Sequence, residues 1–117
     1  MTDTRSFRRW VRWLNRNFPL RCSFKAFLRA PEERDALGYA HWAYGEDGRV
    51  SKARIYVRPN LDESHTAETL IHEWAHVLRA QVPVGNPESE DDIQALIERA
   101  ISNKWDAKNK GCGEPNE

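Results

Sequence analysis

This chain has no long hydrophobic run. None of its 117 residues falls in an apolar stretch approaching the roughly 20 needed to cross a bilayer as a helix, which argues against a membrane partner. Met1 to Trp10 contain no apolar core of a signal peptide, so no secretory leader is expected. Cysteine is scarce. Cys22 and Cys112 cannot make a disulfide framework, and a reducing, cytoplasmic setting is the expectation. No internal repeat is present, which excludes a solenoid. Net charge is also absent, with 18 Lys and Arg against 18 Asp and Glu.

That balance conceals a division. Residues 1–58 hold 13 Lys and Arg against six Asp and Glu, and residues 59–117 hold five against 12. A basic half suits a polyanionic partner such as nucleic acid, and it equally suits pairing with the acidic half inside the fold. Five Trp, four Phe and three Tyr supply large buried areas for one modest core. One domain over residues 1–105 with a polar tail over 106–117 is expected.

Phe7, Trp10, Val11 and Leu14 recur at helical spacing, extended by Phe18, and predict a helix from Ser6 to about Asn17, stopped by Pro19. Arg5, Arg8, Arg9, Arg12 and Arg16 crowd its other faces, as in a nucleic-acid-binding helix or an ordinary surface helix. Trp13 lies off the stripe and is a candidate for a partner contact. Three strands are expected at Cys22–Leu28, Gly38–Tyr44 and Val50–Val57, with a charged segment at Pro31–Asp35 and a hairpin turn at Glu46-Asp47-Gly48. Ala67, Leu70, Ile71, Trp74 and Leu78 predict a helix ending near Gln81, with Asp62 or Ser64 as its cap. A last helix, Glu90 to about Trp105, carries Ile93, Leu96, Ile97, Ala100 and Ile101, with Ser89 and Asp92 as a capping pair. This order predicts an α+β domain: a small three-stranded antiparallel sheet with helices on one face.

The chemistry lies in His72-Glu73-Trp74-Ala75-His76, an H-E-x-x-H pattern. Residues four apart on a helix stand about 6 Å apart along the axis and about 40° apart around it. His72 and His76 can therefore reach one zinc ion, while Glu73 sits beside it as a general base for water. His65, Thr69, His72, Glu73 and His76 form a polar face off the apolar stripe. The bland alternative is two surface histidines flanking a solvated glutamate.

Residues 68–78, Glu68 to Leu78, resemble the motif helix of SprT-like zinc metallopeptidases, particularly the compact phage-type members of this zincin group. Ala53 to Val57 resembles the strand leading into that helix, and the likeness spans about residues 37–80. The resemblance implies a zincin-like fold and a zinc-dependent peptidase acting on polypeptide, with His72 and His76 as ligands and Glu73 as catalytic base. It also implies an edge strand that binds substrate by strand addition, for which residues 50–57 are the candidate.

The SprT-like pattern has a third ligand histidine after the motif, and no His follows His76 here. Glu88, Glu90, Asp91 and Asp92 are carboxylates that could substitute. Asp92 is favoured narrowly, being in register with Leu96 and Ala100, and Glu88 and Glu90 stay as alternatives. These acids could instead complement the helix dipole. His65 lies two turns before His72, too far to share an ion, and His41 sits among aromatics on a strand. Tyr39, Tyr44 and Tyr56 are candidate transition-state donors, with nothing in their spacing to select one. Two further readings stand beside the peptidase. One is a non-catalytic, nucleic-acid-associated protein on a degenerate zincin scaffold. The other is a purely structural zinc, which would need four closed ligands.

Overall fold

The computed structural model describes residues 2–30, 36–81 and 90–109. Its elements are α1 (Thr4–Asn17), β1 (Ser23–Leu28), β2 (Gly38–Tyr44), β3 (Val50–Val57), α2 (Glu63–Gln81) and α3 (Glu90–Asn109). The α+β class is observed. The charged segment Pro31–Asp35 and the expected cap Ser89 lie outside the described residues.

The sheet corrects one expectation, because it is mixed and not antiparallel. Its order is β1-β3-β2, with β2 antiparallel and β1 parallel to β3. The hairpin expected at Asp47-Gly48 joins β2 to β3, and Gly48 adopts φ +79°, where a side chain would be strained. β3 has the most deeply buried inward row, with Ala53 3% exposed and Ile55 and Val57 fully buried. Such a strand gains most from neighbours on both sides. β1 takes the side that the hairpin leaves free, with Phe24 opposite Ala53 and Leu28 opposite Val57. A second correction follows. β3 is the central strand, so its backbone cannot accept a substrate strand, and β1 and β2 are the edges among the described residues.

α2 packs across one sheet face. Trp74, at the centre of the pentad, is fully buried, meets Phe24 edge-on at 5.3 Å, and donates its Nε1–H to the Phe18 carbonyl at 2.9 Å. α1 adds Phe7, Trp10, Trp13 and Leu14 to the same core. Trp13 is therefore no partner contact. It is 7% exposed and stands edge-on to Trp105 at 5.1 Å, while Trp10 meets the same ring at 5.6 Å.

These tryptophan contacts also set the rotation of α3, which differs from the expected stripe. Ile101 and Trp105 are buried, Gln94, Ile97 and Glu98 are half-buried, and Leu96 is 61% exposed. Seating Trp105 between Trp10 and Trp13 turns Leu96 and Ala100 outward and brings Gln94 and Glu98 inward. The helix runs past Trp105 to Asn109, and residues 110–117 of the expected tail lie outside the described residues.

Candidate metal centre

α2 starts after a turn in which Asn60 takes φ +72°. Asp62 caps the helix, its Oδ1 accepting the His65 N–H at 2.8 Å. Trp74 then fixes the helix's rotation. Residues two before and two after it point about 200° away around the axis. With Trp74 in the core, His72 and His76 face outward, and Glu73 turns toward the start of β2.

The two imidazoles converge. His72 Nε2 and His76 Nε2 are 3.1 Å apart, with the rings edge-to-face at 88°. Two nitrogens on one tetrahedral zinc, each about 2.0–2.1 Å from it, stand about 3.3 Å apart. The pair thus fits a shared cation after a shift of a few tenths of an ångström. His72 Nδ1 lies 2.9 Å from Glu98 Oε2. A carboxylate accepts, so Nδ1 carries the proton, and in the neutral ring Nε2 keeps its lone pair. A carboxylate behind a histidine is how metal-binding imidazoles are commonly oriented. Gln94 braces this carboxylate, its Nε2 lying 3.3 Å from Glu98 Oε2 and 3.5 Å from the His72 carbonyl. Gln94 Oε1 is buried without a partner among the described residues.

Glu73 is 7% exposed. Gly38 makes that burial possible, because a Cβ there would meet Thr69 and lie 3.0 Å from Glu73 Oε2. Burial pushes the Glu73 carboxyl above its usual range, the nearby His72 opposes this, and Glu98 adds to it. His76 is pushed down, first by burial and then by His72 and Arg79, with Glu98 opposing. An open cleft of about 490 Å³ lies in front, lined by Leu37, Gly38, Glu68, Thr69, His72, Glu73 and Glu98. A larger cleft of about 680 Å³ near Arg9, Glu63 and Trp105 contains none of the pentad's His or Glu residues.

The other sequence candidates fall elsewhere. Asp92 is on the first turn of α3 and exposed, on the side of the helix that carries Leu96. Glu88 lies outside the described residues, and Glu90 opens α3. Among the described residues, no three His, Cys, Asp or Glu side chains gather around one cation position. His65 is an exposed partner of Asp62, at 2.9 Å. Tyr39, His41 and Tyr56 occupy the sheet face away from α2, and Tyr44 Oη accepts from Trp42 Nε1, so no tyrosine reaches the pentad. Sequence reasoning misses Glu98 and Gly38. The rotation of α3 brings Glu98 in, so the expected apolar stripe does not point to it. Only the lone glycine at the head of a strand hints at Gly38's close approach.

Compared with known protein families, curated proteins and solved structures, the chain gives no match.

Proposed function

We propose that this protein is a zinc-dependent metallopeptidase of the SprT-like type, in which His72 and His76 hold the metal through Nε2 and Glu73 is the general base. The observation that carries this reading is the convergence of the two Nε2 atoms at 3.1 Å, one turn apart, beside a buried Glu73. Zinc bound there supplies Lewis-acid polarisation of a peptide carbonyl and acidifies water. Glu73 takes a proton from the attacking water and returns it to the amide nitrogen as the C–N bond breaks. Burial raises its affinity for protons, the direction that favours taking the water's proton. Glu98 keeps His72 in the tautomer with a free Nε2. Asp92, with Glu88 or Glu90 as alternatives, is the candidate for a third protein ligand, and Asp92 is exposed on the first turn of α3. β2 begins beside Glu73 at Gly38 and among the described residues is paired on one side only, so it is the edge that would align a substrate strand.

The test is metal content and peptide hydrolysis measured together. Purified protein should hold one zinc per chain and lose hydrolysis to a chelator. Glu73→Gln should keep zinc and lose hydrolysis by about 10²–10⁴-fold. Replacing both His72 and His76 by Ala should lose both. A protein that holds no zinc, and whose properties ignore chelators, sinks the reading.

A further inference from the structure

The sheet face opposite α2 is not covered by any helix among the described residues. Alternation along the strands sends Ala53, Ile55 and Val57 to the core, and Lys52, Arg54 and Tyr56 the other way. The strand register aligns two rows across this face. Phe27, Tyr56 and Tyr39 lie directly opposite one another, and so do Lys25, Arg54 and His41. Phe27 and Tyr56 stack at 5.1 Å and 20°, and Tyr39 continues the series 6.5 Å from Tyr56. The Arg29 guanidinium lies 4.8 Å from the Phe27 centroid. Lys52 extends the basic side one row further.

Folding explains only half of this. Cross-strand aromatic pairs stabilise a sheet, but like charges set directly opposite, as Lys25 and Arg54 are, destabilise it. No carboxylate forms an ion pair with Lys25, Lys52 or Arg54 among the described residues. Among the described residues, the acidic half of the chain therefore does not neutralise this face by direct pairing. Planar rings in one row and cations in the next match a ligand with planar apolar units on an anionic backbone.

We infer that this open sheet face binds single-stranded nucleic acid, with bases stacked on the Tyr39–Tyr56–Phe27 row and phosphates on Lys25, Lys52 and Arg54. Such a platform takes about two or three bases of an unpaired segment. A duplex hides its base faces and can use only the cations. An acidic protein surface could likewise use the cations but leaves the ring row without a role. This site is separate from the pentad and does not depend on zinc.

Fluorescence anisotropy with a short labelled oligo-dT or oligo-U, against a duplex of equal length, tests the inference. The single strand should bind more tightly, with affinity falling as salt rises. Tyr39→Ala should weaken binding about tenfold with an unchanged salt slope. Lys25→Ala with Arg54→Ala should reduce the slope by about 0.7 for each phosphate that is no longer neutralised. The double substitution of His72 and His76 by Ala should leave binding intact, which separates this inference from the peptidase reading. Lys25, Tyr39 and Arg54 are exposed, and circular dichroism checks that each variant folds. Absence of binding at low salt overturns the inference. So does equal affinity for duplex, or wild-type affinity in the sheet variants with loss only in Arg8→Ala/Arg12→Ala on α1.

Discussion

On the side of β3 that faces α2, Ala53, Ile55 and Val57 pack beneath a helix whose Trp74 is fully buried. On its other side Lys52, Arg54 and Tyr56 stand in rows with their neighbours from β1 and β2, and no described helix covers them. The same eight residues thus build two surfaces under different rules. Inward residues are explained by burial and shape. Outward residues are not, since opposed cations cost stability and fold no core. Function in so small a domain is to be sought where stability alone does not account for the side chains: Glu73 and Glu98 at one site, the cationic row at the other.

Five substitutions put this contrast at risk. Trp74→Ala heads them, and should cost about 3–5 kcal/mol in chemical denaturation, since it opens a core cavity and orphans the Phe18 carbonyl. A loss under 1 kcal/mol would mean that the α2 face is not the core. Next is Glu98→Ala. If the carboxylate orients His72, zinc affinity should fall about 10–100-fold, read by competition with a chromogenic chelator. Unchanged affinity would remove Glu98 from the centre.

Glu73→Gln should raise the melting temperature of the metal-free protein at pH 7. The folded-state proton affinity of Glu73 is raised, so its burial cost is fully present above the folded pKa. That cost is relieved as pH falls toward the unfolded value of about 4.3. The gain from Gln should therefore shrink as pH falls and vanish below that value, and a gain independent of pH would refute the cause. The open face should respond least, with Tyr39→Ser or Arg54→Ser changing stability by no more than about 0.5 kcal/mol. A large loss there would reveal a structural role and weaken the contrast.

Much of the local structure is legible in the sequence. Period-2 alternation bounds β2 and β3, and apolar spacing around Trp74 locates α2 and so the face of the pentad. Strand order is not legible, because alternation reports which residues face the core and not which strand lies beside which. Trp13 escapes for a related reason. A single stripe drawn through Phe7, Trp10 and Leu14 ignores that one large ring on another helix can widen the buried face. In the same way the apolar period of α3 points Leu96 inward, although the two α1 tryptophans hold Trp105 and turn Leu96 out.

Local pattern alone settles the class of each segment and the one-turn spacing of His72 and His76, since both follow from backbone periodicity within a few residues. Four other features emerge only in three dimensions. β3 is central, Glu98 stands behind His72, Gly38 closes over Glu73, and two basic and aromatic rows align on an open face. Each of these joins residues distant in the chain. Packing of large side chains selects such pairings, and no local pattern encodes them.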